Sequence, residues 1–261
     1  MRYKGIVPDL SLFTIEAILP FAAIGFAAQL VDGALGMAFG VISNTLLLAL
    51  GVPPATASAG VHTVETFTTA ASGISHAIQR NVCWRLFLRL AIPGMIGGAI
   101  GAYMLSNIDA AITKPFILTY LILIGFYLLW RAYRHVPQDR DPKIVEPLGL
   151  LGGFLDAAGG GGWGPVVTSN LLAQGAQPRT TVGTVNTAEF FTTLVISLTF
   201  ISQIGLAAFS QATIGLLIGG VVAAPLGALL AKRVPARRLL LLVGSVLIAT
   251  SLFNLWHAFI R

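Results

Sequence analysis

The sequence predicts an all-α polytopic membrane protein built as two inverted repeats, each with three spanning helices plus a glycine-broken re-entrant helical hairpin. Three observations carry that reading: an apolar composition, a self-similarity at a fixed offset, and an exchange of loop charge between the two halves. Of the 261 residues, 56% are hydrophobic and only 10% charged, with a mean hydropathy of +0.84, which is too apolar for an ordinary soluble domain. The net charge is +6, from 16 Lys and Arg against 10 Asp and Glu, and most of these charges fall in connecting loops. Such a basic balance reads as orientation in the bilayer and contact with anionic lipid headgroups, not as a nucleic-acid surface.

Taken in order, the apolar segments of the first half run over about 12–31, 35–50, 55–79, 86–106 and 112–133. Those of the second half run over about 147–158, 163–175, 180–202, 211–231 and 236–260. Between them lies the strongly polar stretch 134–147, which divides the chain into a first transmembrane repeat (1–133), a cytoplasmic linker (134–147) and a second transmembrane repeat (148–261). The N-terminal residues lack a small-residue cleavage site, so no signal peptide is expected. The single cysteine, Cys83, excludes an intrachain disulfide and a cysteine-cluster metal site, and neither a metal nor a cofactor is expected.

Sliding the chain over itself by 124 residues aligns 32–69 with 156–193 without a gap, and leaves far more identities than so biased a composition gives by chance. The matched pairs include Asp32 with Asp156, Gly36 with Gly160, Gly51 with Gly175, Pro54 with Pro178 and Glu65 with Glu189. Loop charge then sets the relative orientation. Arg80, Arg85 and Arg89 surround the loop after the third segment of the first half, whereas the matching loop at 203–210 has no charge. The next loop reverses this, with Lys232, Arg233, Arg237 and Arg238 against Asp109 and Lys114. By the positive-inside tendency the halves face opposite ways, which requires an odd number of crossings in each. Segments 147–158 and 163–175 are too short to span and fit a re-entrant hairpin. The expectation is therefore six full spans and two re-entrant hairpins, with both termini outside; Arg2 and Lys4 argue mildly against an external N-terminus. If 12–31 and 35–50 both cross, the count rises to ten and the inversion survives.

The break in the second half is Asp156-Ala-Ala-Gly-Gly-Gly-Gly-Trp-Gly, with Pro165 after it, a run in which a continuous helix is improbable. Its first-half partner is Asp32-Gly-Ala-Leu-Gly-Met-Ala-Phe-Gly. Backbone interrupted at membrane depth must be buried in protein or line a cavity, and a half-helix starting there aims free N–H groups at the centre, a disposition that attracts anions. Gly36, Gly160, Gly161, Gly162 and Trp163 are accordingly candidates for substrate contact, with close packing of helices as the competing role of the glycines. Asp32 and Asp156 either bind an ion or cap the next half-helix.

The helix that follows carries Ser58, His62, Glu65, Thr69, Ser72 and His76 at spacings that form one polar stripe, and the second half repeats a shorter version with Asn186, Glu189 and Thr193. A carboxylate in mid-membrane is costly and marks a functional site by default, so Glu65 and Glu189 are candidates for reversible protonation, against a fixed structural hydrogen bond. Glu65 has His62, itself a candidate for substrate contact, one turn away, and Glu189 has Asn186 in the matching place. Ser58, His62 and His76 lack the nucleophile turn or the His-Glu-x-x-His helix of an enzyme, so no catalytic residue is expected. Trp84, Trp130 and Trp256 fit an aromatic belt.

At these residues the sequence resembles the sulfite exporter TauE/SafE family of membrane permeases. The resemblance is carried by Val31-Asp-Gly-Ala-Leu-Gly-Met, Ala57-Ser-Ala-Gly-Val-His-Thr-Val-Glu, Gly153-Phe-Leu-Asp-Ala-Ala-Gly-Gly-Gly-Gly-Trp-Gly-Pro and Gly183-Thr-Val-Asn-Thr-Ala-Glu-Phe-Phe, the last adding Thr184 and Asn186 to the candidate substrate contacts. It implies location in the inner membrane and movement of small sulfur-containing anions such as sulfite or organosulfonates, with protons as the coupling ion. A secondary transporter is thus the leading expectation and a passive anion channel the second.

Overall fold

The computed structural model describes residues 14–35, 37–133, 140–205, 211–233 and 236–260, and among them every regular element is helical. In the first half these are α1 (Ile15–Leu35), α2 (Phe39–Ala49), α3 (Pro54–Ile78), α4 (Trp84–Asn107) and α5 (Ala110–Arg131). In the second half they are α6 (Glu146–Gly159), a wide π-type turn (Trp163–Thr168) leading into α7 (Ser169–Ala173), then α8 (Pro178–Ile204), α9 (Gln211–Arg233) and α10 (Ala236–Ile260).

Local chemistry sets most of the ends. Both α3 and α8 start at a proline, whose missing N–H costs nothing in the first helical turn. Asp109 caps α5, its Oδ1 accepting from the Ala111 N–H at 2.7 Å. The break after α6 is made by Gly160, in the left-handed conformation at φ 70°, while the Gly161 N–H turns back to the Asp156 carbonyl at 2.8 Å. The helix before the first-half break runs on through Asp32 to Leu35, past the end of the apolar segment expected there.

Among the described residues, four stretches are long and apolar enough to cross a membrane, namely Ile15–Asp32, Trp84–Asn107, Ala110–Arg131 and Arg179–Ile204. The outward surface is apolar too: Ile74, Ile78, Phe116, Leu123 and Trp256 are exposed, which water would not tolerate over such an area.

The helices pack across the two halves more than within them. The closest partners are α1 with α9, α6 with α4, α3 with α8, and α5 with α10. Glycines allow the close approach, as small residues do where no hydrophobic effect drives helices together. Gly25 on α1 lies against the Leu216 carbonyl of α9, and Gly149 on α6 lies against the Leu90 carbonyl of α4. Gly125 and Gly244 meet at the crossing of α5 with α10, each facing the other's carbonyl oxygen.

One end of the bundle gathers the α3–α4 loop, the described part of the linker and the α7–α8 loop. Gln174 Oε1 accepts from the Lys143 and Ile144 N–H groups at 2.9 Å, and the Arg140 N–H donates to the Gly175 carbonyl, so the start of α6 and the end of α7 lie side by side. The Arg237 guanidinium sits 4.4 Å over the Tyr133 ring and brings the start of α10 to the end of α5. At the other end Asn107 Nδ2 donates to Gln203 Oε1, joining the ends of α4 and α8.

Candidate functional site

The break between α6 and the π-type turn is enclosed by residues of the first half. Asp156, in the last turn of α6, reaches forward to accept from the Trp163 N–H through Oδ1 at 2.9 Å. Asp32 does the same at the first break, accepting from the Phe39 N–H at 3.2 Å. Phe39 and Trp163 are partners under the 124-residue offset, so the two aspartates tie off both breaks by the same contact. Each carboxylate satisfies an amide that the helix start leaves without an intrahelical partner.

The remaining oxygen of Asp156 faces α3. His62 Nε2 lies 3.1 Å from Asp156 Oδ2 and 4.0 Å from Glu65 Oε2, and its Nδ1 lies 2.7 Å from the Ser58 carbonyl. A carbonyl only accepts, so Nδ1 carries a hydrogen. His62 Nε2 and Asp156 Oδ2 thus meet at hydrogen-bond distance across the boundary between the halves. Ser58 Oγ donates to the Ala157 carbonyl at 2.7 Å and fastens the same two elements together. The one-turn neighbour Glu65 is thus the more distant partner of His62.

Glu65 is buried beside the start of α2. Oε1 lies against Gly40, while Oε2 has no hydrogen-bond partner among the described residues. Its carboxyl and that of Asp156 lie 4.0 and 3.1 Å from His62 Nε2, so one acidic group from each half meets the same imidazole. Gln29 Oε1, Ser43 Oγ and Asn44 Oδ1, on α1 and α2, are also buried without a partner among the described residues. A buried acceptor left unpaired is where a proton or another donor is wanted.

The glycines themselves are covered. Gly160 lies against the Asn44 amide, whose Nδ2 donates to the Gly159 carbonyl at 2.8 Å. Gly161, at φ 136°, lies on the backbone of Gly40 and Val41, and its carbonyl accepts from the Tyr120 hydroxyl at 3.3 Å, with Gly162 beneath that hydroxyl. Their lack of side chains is used here for close packing, beside a cavity of about 430 Å³ that Gly159 and Tyr120 line. Trp163 is fully buried against Gly94 of α4, its indole N–H donating to the Val185 carbonyl.

Two further residues singled out in the sequence lie elsewhere. Thr184 Oγ1 accepts from the Cys83 N–H, and Asn186 Nδ2 donates to Ser72 Oγ at 3.2 Å. Asn186 thus turns to α3, and no hydrogen bond joins it to Glu189 among the described residues. Gly36 lies outside the described residues. Asn44 and Tyr120 escaped the sequence reading. Asn44 had a signal, as a polar side chain inside the apolar run of α2; Tyr120 had none, because its role depends on where α5 packs.

A helical bundle with a lipid-facing apolar exterior and a buried imidazole–carboxylate centre defines a multi-pass membrane protein with a polar interior site. The chain belongs to the TauE/SafE family, whose profile, described as "Sulfite exporter TauE/SafE", matches residues 21–253. It is a membrane transporter of that family. The chain is 42% identical over 257 residues to "Probable membrane transporter protein YtnM" of Bacillus subtilis (strain 168), covering 93% of this chain and 85% of the relative. It is also 29% identical over 160 residues to "Probable membrane transporter protein" of Haemophilus influenzae, covering 59% and 62% of the two chains. To "Sulfite exporter TauE/SafE family protein 3" of Arabidopsis thaliana it is 27% identical over 112 residues, which cover 43% of this chain and 24% of the relative. No solved structure matches it.

Proposed function

We propose that the chain is a proton-coupled secondary transporter that moves a small sulfur-containing anion, of the sulfite or organosulfonate class, across the cell's inner membrane. The observation that carries this reading is the buried centre in which His62 meets Asp156 at 3.1 Å beside the unpaired Oε2 of Glu65. An anion approaching these carboxyl groups meets like charge in a poorly solvated interior, so it needs protons to enter with it. Glu65 takes the proton, because its unpaired oxygen then becomes a donor facing the substrate. The packed glycine break corresponds to a closed state, and separation of α2 and α5 from Gly159–Gly162 opens the site.

The architecture that serves this function is a pair of inverted repeats, 1–133 and 148–261, with 134–147 as a cytoplasmic linker. Support comes from the exchange of partners between halves: α1 on α9 is the counterpart of α6 on α4 under the repeat. Gly25 with the Leu216 carbonyl and Gly149 with the Leu90 carbonyl are matching glycine-to-carbonyl contacts in the two pairs. The adjacent ends of α6 and α7 suit a hairpin that enters and leaves on one face. That face carries Arg80, Arg85, Arg89, Arg140, Lys143 and Arg237, and by the positive-inside tendency it is the cytoplasmic one.

The test is uptake into proteoliposomes of sulfite, thiosulfate, sulfonates and carboxylates under an imposed pH gradient. Saturable, gradient-driven flux of a sulfur anion is expected, and Glu65→Gln is expected to abolish uphill uptake while leaving exchange of bound substrate. Absence of saturable anion flux overturns the reading. Flux that neither saturates nor runs uphill identifies a channel.

A further inference from the structure

We propose that the linker end of the protein carries a second binding site, for a phosphate- or sulfonate-type oxyanion, in the cavity walled by Arg85, Arg140 and Thr181. The site is separate from the His62–Asp156–Glu65 centre and does not rest on the transport reading. Its cavity has a volume of about 560 Å³ and lies where the α3–α4 loop, the linker and the α7–α8 loop meet.

Its charge favours an anion. Arg85, Arg89 and Arg140 line it, with Asp141 as the carboxylate on its wall. Arg89 is already committed, its guanidinium gripping both oxygens of Glu146, with Nη2 to Oε2 at 3.0 Å. Arg85 and Arg140 have no ion-pair partner among the described residues. Two guanidinium groups flanking one cavity suit a planar or tetrahedral oxyanion, which accepts from such forks with two oxygens at once.

The backbone adds donors from two helices. Both α4, of 24 residues, and α8, of 27, begin at this cavity, and neither has a side chain capping its first turn. Their unpaired N–H groups and positive dipole ends add to the field of the arginines. A third, independent observation points to a missing ligand. Thr181 is 1% exposed, lines the cavity, and its hydroxyl has no hydrogen-bond partner among the described residues. Other threonines of α3 and α8, such as Thr63, Thr69 and Thr187, donate to the carbonyl four residues back. Thr181 does not, which leaves a buried donor that an oxyanion would satisfy.

The oxyanion has two sources, a free ion in the cytoplasm or the phosphate of an anionic lipid headgroup. The experiment separates them using the full-length protein in nanodiscs. In phosphatidylcholine discs, thermal stability is followed against millimolar sodium sulfate and sodium phosphate, with sodium chloride holding ionic strength constant. In a second arm, phosphatidylglycerol is added, and retained lipid is measured by mass spectrometry with and without sulfate. Saturable stabilisation in the first arm assigns a free anion, whereas retained phosphatidylglycerol that sulfate displaces assigns a lipid; either supports the site. Arg85→Gln with Arg140→Gln should weaken binding by about tenfold or more, and Thr181→Val, which keeps the shape and removes the donor, by about threefold to tenfold. If the double variant does not fold, Thr181→Val decides. A response that does not saturate, or that is the same in wild type and Thr181→Val, overturns the proposal, since salting-out by sulfate is unsaturable and blind to one hydroxyl.

Discussion

Gly161→Ala offers a direct measure of what the glycine break contributes. A methyl group built on Gly161 would sit 2.3 Å from the Gly40 carbonyl carbon and 2.4 Å from the Val41 nitrogen. Both are backbone atoms, so no rotamer change can relieve the overlap, and α2 must move away from the break. The residue also sits at φ 136°, a region that alanine occupies at a cost of about 1–3 kcal/mol. Overpacking adds about 1–3 kcal/mol, for a total of about 2–6 kcal/mol. Gly51→Ala separates the two contributions: Gly51 is also at positive φ, 84°, but nothing lies within 4 Å of its built methyl group. It should therefore cost only the conformational part. Denaturant titration in mixed micelles gives both values, and Gly161→Ala should exceed Gly51→Ala by about 1–3 kcal/mol. Equal losses would refute the view that the break is closed by backbone-to-backbone packing.

Asp156→Asn keeps the acceptor for the Trp163 N–H but removes the acidic group that faces His62; the fold should survive, while the pH profile of flux changes. Asp156→Ala should in addition lower thermal stability. Asn44→Ala removes the donor to the Gly159 carbonyl and should cost about 1–2 kcal/mol, measurable by denaturant titration. At the linker end, the hydrogen bond and charge of Arg89 hold the Glu146 carboxyl down at about 2, from an ordinary 4.5. A depressed acid pKa means that the pair's contribution is complete above about pH 4.5 and is lost as pH falls toward about 2. The gap in melting temperature between wild type and Glu146→Gln should therefore narrow from pH 7 to pH 3. It should be small throughout, because both groups are partly exposed.

Much of this was legible in the chain because its causes are local. The start of α8 at Pro178 follows from proline stereochemistry, and the end of α6 from a residue that tolerates positive φ. The role of His62 was only half legible. The spacing from His62 to Glu65 suggested a pair within α3, yet the nearer carboxylate is Asp156, distant in sequence and brought to α3 by the packing of the two halves. Thr184 and Asn186 belong to the same stretch of sequence as Glu189 but bond to Cys83 and Ser72. Spacing along a helix fixes which face a side chain occupies and says nothing about which neighbour that face meets.

The sequence by itself determined the apolar class, the positions of the breaks and the self-similarity at a 124-residue offset, since composition, glycine runs and matching residues are properties of the chain alone. Only the tertiary structure decided what fills the glycine break. Asn44 from α2, Gly40 and Val41 beside it, and Tyr120 from α5 converge on Gly160–Gly162, beside a cavity of about 430 Å³ that Tyr120 and Gly159 line. The physical reason is that a glycine offers the same bare backbone to an anion and to another helix. Which of the two approaches it depends on helix crossings set by close contacts such as Gly125 with Gly244, far from the break in sequence.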